Sequence, residues 1–257
     1  MGKRAGKRAG RRLLAGLGAL CLLALATGGP EPALPVDGVL PEGMEAAPTP
    51  APTPAQGGLL ALTFDDGPRR STTTALLDGL AERGVKATFF LVGGRVANGM
   101  EDLVERMDAE GHQIGIHTYD HVALTGLNRA DFDAQVGRTR RLLTGILGHD
   151  GFALRPPYGQ IDAGVRANAG SPLILWSVDP EDWDTDDAQK VARHLVSHAR
   201  DGDILLLHDI FPSSVEAALL AVDQLHQRGF YFVTVDELLA QRHIQPEPGK
   251  SYRCAYP

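Results

Sequence analysis

Along the chain, short unbroken apolar runs alternate with longer stretches in which apolar residues recur every three or four positions. The first pattern suits buried strands, the second helices that face a core. Residues 59–64 form the cleanest run, which meets Asp65-Asp66 and is stopped by Gly67-Pro68. Residues 72–83 carry Ala75, Leu76 and Leu80 at helical spacing and end on Gly84. The pattern then predicts a strand over 85–92, a helix over 100–109, a short strand over 113–116 closing on His117, and a long helix over 129–147. Residues 152–154 run into Arg155-Pro156-Pro157-Tyr158-Gly159. Strands are expected at 173–178, 204–207 and 231–235, with helices at 187–199, 215–228 and 236–241. This alternation predicts an α/β fold, either a parallel β/α barrel or a doubly wound sheet. Residues after His243 read as a loose tail.

Composition changes the picture mainly at the N-terminus. Lys3, Arg4, Lys7, Arg8, Arg11 and Arg12 come with no acidic residue, and a fourteen-residue apolar run closes on Ala24-Leu25-Ala26. Residues 1–26 therefore read as a secretory signal, and the run is too short to span a bilayer comfortably. Arg11-Arg12 ahead of two leucines also fits twin-arginine export. Cleavage after Ala26 is expected, so the mature chain should begin at Thr27. Intact-mass measurement on secreted material checks this, and a mass that retains residues 1–26 would indicate a tethered protein instead.

Eight of the seventeen prolines fall between Pro30 and Pro54. Such a segment builds no core, so 27–57 is expected to be an extended spacer. A catalytic domain is expected over 58–243, followed by a tail over 244–257. Loss of the signal would take the net charge from −7 to −13. An acidic mature protein excludes nucleic acid and anionic membrane as natural partners, and a monomer is expected. Cleavage would also remove Cys21 and leave Cys254 with no partner for an internal disulfide.

Each expected strand ends on a chemically loaded residue: Asp65-Asp66, His117, Arg155, the stretch from Asp179 to Trp183, and His208. Parallel α/β folds gather such ends on one face. Two adjacent carboxylates repel unless a cation or a proton lies between them. His117 and His121 stand four apart just past a strand, and with one aspartate they complete a two-histidine, one-carboxylate metal site. His194 and His198 have the same spacing inside an expected helix, where a solvated face is the better reading. Leu206 shares a face with His208 by the period of two, which sets an apolar patch beside an imidazole. Asp182 and Trp183 fit a carboxylate that tunes an acid and an aromatic that stacks on sugar.

Five segments in this order, Thr63-Phe-Asp-Asp-Gly-Pro68, His117-Thr-x-x-His121, Arg155-Pro-Pro-Tyr-Gly159, Asp179-x-x-Asp-Trp183 and Leu205-x-Leu-His208, resemble the motifs of the polysaccharide deacetylases. These are the carbohydrate esterases of the NodB-homology type. The resemblance covers about residues 58–241 and implies a distorted (β/α)7 barrel. It implies one divalent metal, Zn²⁺ or alternatively Co²⁺ or Ni²⁺, on Asp66, His117 and His121. Asp65 would be the base toward the attacking water, oriented by Arg155. His208, tuned by Asp182, would be the acid; the Tyr158 N–H would face the oxyanion; Trp183 and Leu206 would hold the acetyl methyl. Ile116 departs from the family, in which Asn commonly precedes the first metal histidine. The role of Asp179 stays open.

The expected activity is removal of N-acetyl groups from an N-acetylglucosamine polymer, with peptidoglycan as first choice and a secreted, wall-associated location. Acetylxylan and chitooligosaccharides are the alternatives for the same site. A non-catalytic sugar-binding protein would have lost at least one catalytic position, and none is lost.

Overall fold

β1 (Gly58–Asp65) is the strand around which the others are set. The computed structural model describes residues 57–257. The expected signal 1–26, and the spacer 27–57 apart from its last residue, lie outside the described residues. Seven of the eight β1 residues are buried, on both faces, which is why the strand reads as a continuous apolar run. It pairs in parallel with β2 (Thr88–Leu91) along Thr63–Asp65, with β5 (Ile204–His208) along Ala61–Asp65, and with β6 (Phe230–Val233) along Gly58–Ala61. β2 in turn pairs with β3 (Gln113–Ile116).

From β3 the circuit continues through single parallel bridges. Ile116 meets Leu154, Leu154 meets Leu173 in β4 (Leu173–Ile174), and Val178 meets Leu205 in β5. The strands thus close on themselves with one thin wall, between residues 154 and 178, and form a distorted parallel barrel.

Around it lie α1 (Arg70–Glu82), α2 (Gly93–Val96), α3 (Glu101–Ala109), α4 (Arg129–Phe132), α5 (Arg138–Leu147), α6 (Ala163–Asn168), α7 (Ala188–His198), α8 (Pro212–Gln227) and α9 (Val235–Gln241). α8 starts on a proline, whose missing N–H costs nothing in a first turn. α9 starts with a capping box, in which the Thr234 side chain and Glu237 satisfy each other's backbone N–H. Leu60, Leu62 and Phe64 of β1 join Leu76, Leu77 and Leu80 of α1 in the main core, and Phe64 stacks on Phe89. Burying each such side chain contributes roughly 1.5–3 kcal/mol. The core therefore fixes the strand that carries the two aspartates.

Four expectations are corrected. The strand expected over 85–92 is only Thr88–Leu91, because Val85 N–H turns back to the Leu80 carbonyl and closes the end of α1. The strand over 173–178 stops at Ile174, since the N–H groups of Ser177 and Val178 both converge on the Ile204 carbonyl and break the ladder. The helix over 129–147 runs through, but Asp133–Gly137 is a wide π turn.

The tail after His243 is not loose. Ser251–Tyr252 form β7, parallel to β4, and Tyr252 and Ala255 are buried. Ala255 N–H donates to the Gly202 carbonyl at 2.7 Å, and Gly202 N–H in turn donates to the Leu59 carbonyl of β1 at 2.8 Å. An edge strand of two residues needs such a partner, and the tail supplies it.

Candidate active site

The C-terminal ends of the strands deliver their polar residues to one end of the barrel. Asp65 and His208 are direct register partners on β1 and β5, so they stand at one level on adjacent strands. His117 follows β3, and Arg155 follows the Leu154 bridge.

Asp65 and Arg155 form a buried ion pair. Arg155 has no exposed surface; its Nη1 donates to Asp65 Oδ1 at 2.8 Å and to Thr63 Oγ1 at 2.8 Å. Its Nε and Nη2 donate to the carbonyls of Ile174 and Leu175 at 3.2 and 3.1 Å, and its plane lies 4.0 Å from the Phe90 ring centre. A buried charge demands this full satisfaction. Burial alone would raise the Asp65 pKa, but Arg155, His117 and His208 outweigh it and hold the carboxyl below its ordinary range. Asp65 is thus kept ionised and able to accept a proton. Thr63, which also donates to the Leu205 carbonyl at 2.6 Å, is a member of this network that the motif reading passed over as strand.

Beside the pair stand Asp66, His117 and His121, whose candidate ligand atoms all lie within 4.8 Å of one another. Asp66 Oδ1 is 3.1 Å from His121 Nε2 and 3.6 Å from His117 Nε2. His117 Nδ1 lies 2.7 Å from the Arg155 carbonyl, which can only accept, so Nδ1 carries the hydrogen and Nε2 presents its lone pair. Burial, offset in part by Asp65 and Asp66, pushes the His117 pKa down and keeps the ring neutral. Asp66 Oδ1 is itself buried with no hydrogen-bond partner. An orphaned carboxylate oxygen facing two imidazole nitrogens is a donor set that fits a divalent cation of the Zn²⁺, Co²⁺ or Ni²⁺ kind.

On the other flank, Asp182 takes the backbone N–H of His208 on one oxygen and Nδ1 on the other, both at 2.8 Å. His208 Nε2 is left for the pocket. Burial would lower its pKa, but the bond and charge of Asp182, with the charges of Asp65 and Asp66, push it up to about 9. His208 is therefore a proton carrier at neutral pH.

A cavity of about 390 Å³ joins these groups and is lined by Asp65, His117, His121, Tyr158, Trp176, Asp179, Trp183, Leu206 and His208. Tyr158 and Trp183 are 64 % and 56 % exposed at its mouth, while Leu206 is buried in its wall. Seven of the ten residues marked in the sequence line it, and the other three, Asp66, Arg155 and Asp182, each touch one that does. Asp179 is now accounted for locally, as it accepts from Trp176 Nε1 at 3.1 Å and from Glu181 N–H at 2.9 Å. Trp176 was missed because it sat inside an expected strand. Asp209 was missed because it directly follows His208. It is fully buried, bonds the Thr73 hydroxyl, and is pushed up to about 7 by burial and by Asp66.

Five of the six non-glycine residues with positive φ among the described residues cluster here: Asp66, Thr118, His121, Tyr158 and Glu181. Each left-handed residue costs about 1–2 kcal/mol. Strain of this kind persists only where its surroundings over-determine it, and it gathers at functional sites.

A parallel barrel with an Asp–His–His cluster, a buried carboxylate–guanidinium pair and a carboxylate-tuned imidazole around one pocket has the constellation of a metal-assisted hydrolase. Residues 53–171 match the family Polysaccharide deacetylase. The chain is 39 % identical over 183 residues to the peptidoglycan-N-acetylglucosamine deacetylase PgdA of Listeria monocytogenes, a match that covers 71 % of this chain and 39 % of that protein. It spans about two fifths of the length of such curated relatives. Among solved structures, a "T48 deacetylase with substrate" is 41 % identical with a TM-score of 0.72, over 76 % of this chain and 96 % of that one. A family 4 acetyl xylan esterase from Clostridium thermocellum, in complex with a cobalt ion, is 30 % identical with a TM-score of 0.72, over 76 % and 98 %. The chain belongs to the polysaccharide deacetylase family.

Proposed function

We propose that the protein is an exported, metal-dependent deacetylase that hydrolyses the N-acetyl group of N-acetylglucosamine residues in peptidoglycan, releasing acetate and leaving glucosamine. The observation that carries this reading is the meeting of the Asp66, His117 and His121 cluster with ionised Asp65 and protonated His208 in one pocket. A divalent cation on that cluster, with Zn²⁺ the choice the donor set favours, would polarise the acyl oxygen and lower the pKa of the attacking water. Asp65, aimed by Arg155, takes the water's proton. The Tyr158 N–H faces the developing oxyanion. His208 gives its proton to the departing amine, and Leu206 and Trp183 close around the methyl group.

Peptidoglycan is preferred because most of the curated relatives at 34–39 % identity are named for it, and because the proline-rich spacer suits work within a wall. No helix among the described residues is long and apolar enough to cross a membrane. Acetate release from peptidoglycan, chitooligosaccharide and acetylxylan, each with and without a chelator, tests the proposal. Release from acetylxylan alone would favour the esterase reading, and release that survives the chelator would remove the metal.

The acid assignment carries its own prediction. Asp182→Asn removes the main upward influence on His208, whose pKa should fall from about 9 toward its usual 6.5. Since the acid works only when protonated, the alkaline limb of the rate profile should move to lower pH. A profile unchanged in Asp182→Asn would detach His208 from the alkaline limb.

A further inference from the structure

We infer that Gln135, which no motif marks, is a positioning residue for His121: it holds the loop from Thr118 to His121 in the shape that brings this imidazole to Asp66 and His117. The inference rests on the metal-site reading above.

The two imidazoles are held differently. His117 is buried and aimed from behind by its bond to the Arg155 carbonyl. The His121 side chain is 32 % exposed, and neither of its ring nitrogens has a hydrogen bond among the described residues. Apart from Asp66 Oδ1, 3.1 Å from Nε2, its ring meets the edge of Tyr158 and the tilted ring of His117, with centroids 5.1 and 5.0 Å away. Backbone must therefore set its aim. That backbone is unfavourable, with φ of +64° at Thr118 and +55° at His121.

The loop is tied down from two sides. On one, the N–H groups of Gly93 and Gly94 donate to the carbonyls of Thr118 and Tyr119 at 2.9 and 2.8 Å. On the other, Gln135 Oε1 accepts from the N–H groups of both Tyr119 and Asp120, at 3.1 and 2.9 Å. Its Nε2 donates to Asp120 Oδ2 at 2.9 Å. An amide offers an acceptor to two N–H groups and, from a separate atom, a donor to a carboxylate at once. Arg138, three residues on, lays its guanidinium 3.5 Å from the Tyr119 ring centre.

The helix is shaped for this. Gln135 lies inside the wide turn Asp133–Gly137, where Arg138 N–H reaches back five residues to the Asp133 carbonyl. The carbonyl of Gln135 accepts the Thr139 hydroxyl at 2.8 Å, so the turn leaves that group satisfied. Wide turns of this kind recur at functional sites.

The test uses the full chain freed of metal, with Zn²⁺ affinity read by competition against a chelator and amide exchange read at Tyr119 and Asp120. Loss of a group that orients a metal ligand typically weakens metal binding by about 10–100-fold. Gln135→Ala should do so and speed exchange at both amides. Gln135→Glu should also weaken binding, because its carboxylate faces Asp120. Combining Gln135→Glu with Asp120→Asn puts donor and acceptor back in exchanged places and should restore most of the affinity. A purely structural role would not be rescued by that exchange. Parent-like Zn²⁺ affinity in Gln135→Ala, or a combined variant as weak as Gln135→Glu, would overturn the inference. A parent chain that binds no Zn²⁺ would overturn the metal reading itself, and the role of Gln135 with it.

Discussion

Asp65→Asn is expected to bind metal as the parent does and to turn over roughly 10²–10⁴-fold more slowly, the usual effect of losing a general base. Asn keeps the shape of the side chain and an oxygen to accept the Arg155 hydrogen bond, which lies at 2.8 Å in the parent. What it lacks is the negative charge that balances Arg155 and the capacity to take a proton. Asp65→Ala is the poorer test, because it would leave Arg155 buried and unpaired, and breaking a buried pair typically costs about 3–5 kcal/mol. Metal content, melting temperature and deacetylation rate should be measured together on Asp65→Asn. Near-parent turnover would end the base assignment, whatever the family suggests.

The second large effect belongs to the metal. Asp66→Ala, His117→Ala and His121→Ala should each bind far less metal and lose activity with it, since ligand number and geometry set such a site. Asp66→Asn should lose affinity first, and excess metal should partly restore its rate. His194→Ala and His198→Ala are the controls. Those two rings stack on α7 with centroids 4.1 Å apart, and the only three-residue ligand cluster found among the described residues is the one at Asp66. Metal analysis of all six variants decides. If the controls lose metal, or the Asp66 set keeps it, the centre lies elsewhere.

The barrel and its polar end were legible because both rest on local chemistry. A strand buried on both faces has to be an apolar run, and a run that ends in Asp65-Asp66 or His208 announces its own polar end. Less could be read where the structure depends on distant partners. Nothing near Leu173 says that its strand lasts two residues, because the limit comes from Ile204 taking two N–H groups at once. Nothing near Ser251 says that it pairs with Leu173, since the apolar signal in two residues is too weak to register. Thr63 and Trp176 looked like strand filler, and their polar atoms acquire meaning only beside Arg155 and Asp179. Gln135 was invisible for a related reason. A helix pattern gives the face of a residue but does not reveal that one turn is wider than the rest.

The pairing of β7 with β4 bears on the order in which the site comes together as the chain is made. Lys250 and Tyr252 offer their carbonyls to the N–H groups of Leu173 and Leu175, and Ile174 and Leu175 offer theirs to Arg155. The guanidinium that aims Asp65 is thus steadied by a segment whose own partner follows every motif residue in the chain. A nascent chain possesses every motif residue well before it possesses the strand that braces this wall. The metal cluster, built from β1, β3 and the loop beyond it, needs none of that late segment. The wall that seats this guanidinium is thus complete only once β7 has paired with β4.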